Sequence, residues 1–283
     1  MFTPEKEAVL VVSGKNPRLY TEVMNPEDYL DICKKVKIEE NNNYNNSQSF
    51  IMGGIKVRSF AMTRPISDYP NITISTLKTP PATWDQIDLV DALKNITKNN
   101  YLIVGASGAG KTYLMNYLLK EQHKDSDSKI GLIEEFSELF SPNKSTSVLT
   151  VPPNKPGQER LLHYITEMSN LMRFDYIYIG EIKGSEAWPF LINLSSGTRG
   201  AATMHGSSAD HGLRRLLNLC LTTGIPEKVV ADTIAKSIDY IIYVENHEIR
   251  EIKKLTGIFN NGIFQSIKIW SKGEGFDKGL KII

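Results

Sequence analysis

Cysteine is almost missing from the 283 residues: only Cys33 and Cys220 occur, far apart and without the spacing of a metal-ligand pair. That excludes a disulfide scaffold and fits a reducing compartment, with both thiols expected in the interior. Long apolar runs are also lacking. No stretch reaches the roughly twenty residues needed to cross a bilayer, and the opening MFTPEKEAVL has neither the basic nor the apolar region of a signal peptide. The expected location is the cytoplasm, with any inner-membrane association peripheral and made through a protein partner. Nor is there an excess of charge of one sign: 33 Lys and Arg against 32 Asp and Glu leave a net charge of +1. The long-range attraction that draws proteins to a phosphate backbone is therefore absent, and direct nucleic-acid binding is not expected.

What is present is an ordinary apolar fraction, 41%, enough for one large domain or two modest ones. Pro26 to Lys37 has the spacing of a short amphipathic helix, with Tyr29, Leu30, Ile32, Cys33 and Val36 on one face. The following Asn41–Ser49, NNNYNNSQS, is too poor in apolar residues to offset its ordering entropy and reads as a flexible loop. Ile55–Met62 and Asn71–Leu77 alternate like paired strands. These elements predict a small α+β domain over residues 1–77. Pro80 and Pro81 interrupt both helix and sheet pairing and mark a linker over 78–88.

Over residues 89–283 the texture changes. YLIVG, KIGLIEEF and DYIYIGEI are short, near-continuous apolar strands, and they alternate with the helical segments KTYLMNYLLKEQ and RLLHYITEMSNLM. That alternation predicts an α/β domain, a parallel sheet buried by helices on both faces. Past Pro226 one more helix is expected, then IDYIIYVEN, IREIKKLTGI and GIFQSIKIW as antiparallel strands added at the sheet edge. No internal repeat is visible.

Gly105 to Thr112, GASGAGKT, matches G-x-x-x-x-G-K-[ST] in full, directly after an apolar strand and directly before an apolar-periodic helix. Small residues let this loop bend so that successive N–H groups face phosphate oxygens at the positive end of the helix. Ser107, Gly108, Ala109, Gly110, Lys111, Thr112 and Tyr113 are the expected nucleotide contacts. Lys111 would neutralise the β/γ-phosphates, and the Thr112 hydroxyl would face Mg²⁺. Such a loop works with an acidic residue at the end of a neighbouring strand. Glu181 in YIYIGEIKG is one candidate; Glu134 and Glu135, after KIGLI, are another, and either place suits orienting a water.

Taken in order behind the loop, IEEFSEL (Ile133–Leu139), YIGEIKGSEA (Tyr178–Ala187) and SGTRGAATMHGSSA (Ser196–Ala209) resemble the secretion ATPases of type II and type IV secretion and type IV pili. The pattern is most similar to the VirB-type ATPases of type IV secretion and conjugation. The resemblance implies a RecA-like P-loop NTPase domain preceded by a small N-terminal domain, a homo-hexameric ring, nucleotide held between the two domains, and inner-membrane secretion or pilus platform proteins as partners. It implies ATP and Mg²⁺ as ligands, with Glu134 polarising water, Glu181 near Mg²⁺, His205 coupling the γ-phosphate site to the domain, and Arg58 reaching the phosphates. Arg64 is a second candidate for that last role. A lone histidine is more often structural, so the assignment of His205 rests on its motif.

Three positions depart from the family. Lys183 replaces the arginine of GE-x-RG and lacks its planar fork. Thr198 stands where a histidine is usual, leaving Arg199 as the nearby charge, and Lys78 stands where many relatives carry arginine. C-x-x-C pairs, found in some type II members, are missing, so no structural zinc is implied. Two other classes fit the loop: a nucleotide-dependent assembly protein with little turnover, and a monomeric small-molecule kinase.

Overall fold

The computed structural model describes residues 7–12, 18–23, 45–52, 55–62, 71–76, 86, 89–136, 138–151 and 158–277. Backbone contacts divide the chain into Met1–Leu77 and Lys78–Ile283. In the first unit β1 (Glu7–Val12) pairs antiparallel with β2 (Arg18–Val23). A separate antiparallel sheet runs in the order β3 (Asn45–Met52), β4 (Ile55–Met62), β5 (Asn71–Thr76).

The loop expected over Asn41–Ser49 is corrected from Asn45 onward. That half is β3, in register with β4 from Asn45↔Met62 to Met52↔Ile55. An antiparallel ladder satisfies backbone N–H and C=O groups whatever the side chains, so a polar strand forms when an apolar neighbour supplies the template. The helix expected over Pro26–Lys37, Cys33 within it, Arg64 and Lys78 lie outside the described residues.

The second unit is built on a nine-stranded sheet in the order β14-β13-β12-β11-β6-β10-β9-β7-β8. At its centre β6 (Tyr101–Gly105) is buried at every residue and pairs in parallel with β10 (Arg199–His205) on one side and β11 (Tyr240–Glu245) on the other. The sheet continues in parallel through β9 (Tyr176–Ile182), β7 (Ile130–Glu134) and β8 (Thr146–Thr150). On the far side β12 (Glu248–Asn260), β13 (Ile263–Ser271) and β14 (Gly275–Phe276) add antiparallel strands.

The expected antiparallel edge thus holds for β12 and β13 but not for IDYIIYVEN. The latter is β11, parallel to β6, because the helix before it carries the chain back across the sheet.

Helices cover both faces. On one, α1 (Val90–Ile96) and α2 (Lys111–His123) pack Leu93, Ile96, Leu114, Met115 and Leu118 against Tyr101, Ile103 and Tyr178. On the other, α3 (Gln158–Met168), α4 (Ala187–Ser195), α5 (Ala209–Leu221) and α6 (Glu227–Ser237) close over Leu102, Val104, Ile179 and Ala202. Strand residues alternate between these two cores, so β6 is apolar throughout. In α5 the buried Leu213, Leu216, Leu217 and Cys220 follow helical spacing. The Ser208 side chain caps that helix by accepting from the His211 amide. Cys220 is a free buried thiol whose burial pushes it up to about 12.

Candidate active site

The carboxyl ends of the parallel strands carry most of the candidate site residues. The G-x-x-x-x-G-K-T loop leaves β6 and enters α2 at Gly110, whose φ of 100° is left-handed and unsuited to a residue with a Cβ. No side chain caps the start of α2. The loop thus runs directly into the positive end of a 13-residue helix. A Cβ built at Gly108, φ 72°, meets nothing within 4 Å, so the loop opens on free space there. A glycine-containing turn leading into a helix N-terminus is where a chain of phosphates can be held.

Lys111 is buried, and its ammonium turns back onto the loop. Nζ donates to the carbonyls of Gly105 (3.0 Å) and Ala106 (2.8 Å) and lies 3.3 Å from His205 Nδ1. Burial lowers its pKa, while the Glu181 carboxylate opposes that shift. The other ring nitrogen of His205, Nε2, lies 2.6 Å from Glu181 Oε1, so the imidazole stands between the ammonium and the carboxylate. The register explains the meeting: β10 pairs His205 with Gly105, and β9, on the other side of β10, ends at Glu181 and Ile182. Lys183 then bridges two carboxylates, in contact with Glu135 and 3.7 Å from Glu181 Oε2. Lys111, His205, Glu181, Lys183 and Glu135 thus form one line of alternating charge and imidazole along the strand ends.

Glu134 is placed differently from Glu135. It ends β7, is 3% exposed, and its Oε2 accepts hydrogen bonds from the amides of Glu138 (2.7 Å) and Leu139 (2.9 Å). Gly180 is what lets β9 pass so near: a Cβ there would lie 3.0 Å from the Glu134 Cβ. Thr112 and Tyr113 occupy the first turn of α2, and Tyr113 leans on the core beneath the sheet. Arg58 is a β4 residue, in register with Ser49 and Ser75 in the first unit. Arg199 begins β10 while His205 ends it, so about 20 Å of strand separates this arginine from the loop.

Among the described residues no group of three or more His, Cys, Asp or Glu could hold a metal by itself. A magnesium ion carried in by a triphosphate needs one or two protein ligands beside phosphate and water oxygens. Thr112 and a carboxylate at the strand ends are the residues that could supply them.

One residue that shapes the site escaped sequence reasoning. Glu186 is 1% exposed and accepts from the amides of Lys183 (2.5 Å) and Gly184 (2.9 Å). It fixes the turn that presents Glu181 and Lys183. Its only sequence signal is an acid five residues after Glu181 within YIGEIKGSEA.

This arrangement is that of a P-loop nucleotide-binding domain. The chain belongs to the family described as type II/IV secretion system protein, whose model matches residues 65–250. It is 26% identical over 152 residues to the protein VirB11 of Agrobacterium fabrum, covering 52% of this chain and 44% of that protein. The chain therefore spans about half the length of such curated relatives. Two solved structures share the fold. The ATPase DotB of Legionella pneumophila superposes with TM-score 0.59 at 17% identity, covering 89% of this chain and 71% of that one. The pilus retraction motor PilT with bound ADP superposes with TM-score 0.60 at 16% identity, covering 94% and 76%. The second unit is thus a RecA-like P-loop domain.

Proposed function

We propose that this protein is a cytoplasmic, homo-hexameric ATPase that couples Mg-ATP hydrolysis to type IV secretion, conjugation, or type IV pilus assembly or retraction. Lys111, the loop amides and Thr112 hold the nucleotide; Glu134 polarises the attacking water; Glu181 stands near the metal; Arg58 adds positive charge at the phosphates. Residues 1–77 form the N-terminal domain, 78–88 the linker and 89–283 the ATPase domain. Its partners are inner-membrane platform proteins of a secretion or pilus machine, and its contact with the membrane is peripheral. Among the described residues no helix is long and apolar enough to cross a membrane.

The observation that carries this reading is the contact chain from Lys111 through His205 to Glu181 at the mouth of the loop. When bound, Mg-ATP supplies the reactive γ-phosphoryl group. A triphosphate can replace the two carbonyls that now engage Lys111, and His205 then transmits the lysine's new position to Glu181. Family membership supports the activity. Calorimetry and phosphate release with Mg-ATP, for the intact chain and for Lys111→Ala, test it: tight binding and turnover lost together in the variant are expected. Equal behaviour of the two proteins would overturn the assignment. Mass measurement with a non-hydrolysable analogue tests the ring.

One observation favours a second reading, a nucleotide-dependent assembly protein with little turnover. Glu134 Oε2 is already engaged by two amides of its own loop. Nucleotide binding without steady-state phosphate release would select that reading.

A further inference from the structure

The hairpin between β11 and β12 makes its turn at Asn246 and His247, both left-handed at φ 52° and 62°, with Glu245 opposite Glu248. A two-residue turn with positive φ at both central positions is the form whose twist matches a hairpin. It brings His247 against the phosphate loop in two ways. The His247 amide donates to the Ala109 carbonyl at 2.9 Å, and the imidazole lies beside Gly110, where a Cβ would sit 2.9 Å from Nδ1 and 3.2 Å from the His247 Cα. Upstream, β11 runs so close to β6 that a Cβ at Gly105 would lie 2.4 Å from the Val244 carbonyl. Both ends of the loop are thus braced by one strand and its turn.

We propose that His247 is a positioning residue of the nucleotide site, holding Ala109 and Gly110 so that the loop amides keep their inward aim. The inference rests on the nucleotide reading above. Gly110 has no side chain and no side-chain cap, and its left-handed φ is one that glycine leaves easily. A ring filling the place of its Cβ, and an amide fixing the carbonyl before it, narrow that freedom before a ligand arrives. Loop order then does not have to be created by the nucleotide, and binding is tighter by that amount. The hairpin leads on into β12 and β13, so the phosphate loop and the antiparallel edge share a rigid joint.

The test uses the full chain and Mg-ADP. His247→Gly can adopt the left-handed backbone and retains the amide donor, but removes the ring. His247→Asn tolerates left-handed φ and places a polar atom near the position of Nδ1. The expected result is a dissociation constant for Mg-ADP raised about tenfold in His247→Gly. The Asn variant should largely restore binding, KM for ATP should rise with kcat little changed, and the ligand-free melting temperature should not move. Wild-type affinity in His247→Gly would overturn the proposal, as would a lower melting temperature in both variants without a change in affinity. Lys111→Ala separates the two levels. If that variant binds Mg-ADP normally, the nucleotide reading fails and this inference with it. If it does not bind while His247→Gly is normal, only the role of His247 fails.

Discussion

Lys111 and His205 are 94 positions apart in sequence, yet their Nζ and Nδ1 atoms lie 3.3 Å apart because β6 and β10 run side by side in parallel. The imidazole meets the lysine on one side and faces Glu181 on the other. His205→Ala removes the spacer between a cation and an anion and leaves the loop itself intact. The expected outcome is Mg-ADP affinity within about threefold of wild type and kcat lower by about 10². Steady-state phosphate release beside calorimetry checks both, and unchanged kcat would remove His205 from the chemistry.

Glu134 and Glu135 are neighbours with opposite surroundings. The first is buried with two amides on Oε2; the second meets Lys183 at the strand ends. Glu134→Gln retains an acceptor for both amides and should fold normally while turnover is lost. Glu134→Ala orphans them at about 1–3 kcal/mol, lowering the melting temperature by roughly 3–10 °C in a domain of this size. Should Glu134→Gln turn over normally and Glu135→Gln not, the general base is Glu135.

The loop from Gly105 to Thr112 was legible because its chemistry is written in consecutive residues flanked by a strand and a helix. Glu181 was reached as an acid at the end of an apolar strand and His205 only through its motif, since spacing alone does not show that β10 lies between β6 and β9. Other features depend on partners that composition does not reveal. Asn45–Ser49 is strand only because β4 lies beside it. β11 is parallel only because of the crossover before it. The short β8, TSVLT, carries too few apolar residues to announce itself. His247 reads as an ordinary turn residue until the hairpin folds it against Gly110.

His123 lies at the end of α2, 1% exposed, with Nε2 2.8 Å from the Tyr178 hydroxyl and Tyr176 edge-on at 4.8 Å. Desolvation pushes its pKa down from 6.5 to about 4. The folded state therefore prefers the neutral ring, and its contribution is complete above pH 6.5 and lost as pH falls toward 4. The linkage amounts to about 2 kcal/mol by pH 5. Urea midpoints should drop between pH 7 and 5 in the wild type and drop less in His123→Gln, which cannot take up the proton. Parallel pH profiles for the two proteins would show that other groups set the acid limit.

Gly180 permits the approach of β9 to Glu134, since its missing Cβ would stand 3.0 Å from the Glu134 Cβ. Gly180→Ala forces one of the two to move. The atom met is the Glu134 Cβ, which no side-chain rotation moves, so the backbone that carries this glutamate must shift, and with it the carboxylate held by the amides of Glu138 and Leu139. Overpacking of this kind costs about 1–3 kcal/mol. The displacement falls on the acid, while the phosphate loop, two strands away in the sheet, keeps its shape. Mg-ADP binding should therefore stay within about twofold, a shift of under 0.5 kcal/mol, whereas turnover should fall by at least about tenfold if Glu134 polarises the water. Full turnover in a folded Gly180→Ala protein would mean that the position of Glu134 does not matter to hydrolysis. The base would then have to be sought along the line from Glu135 to Glu181.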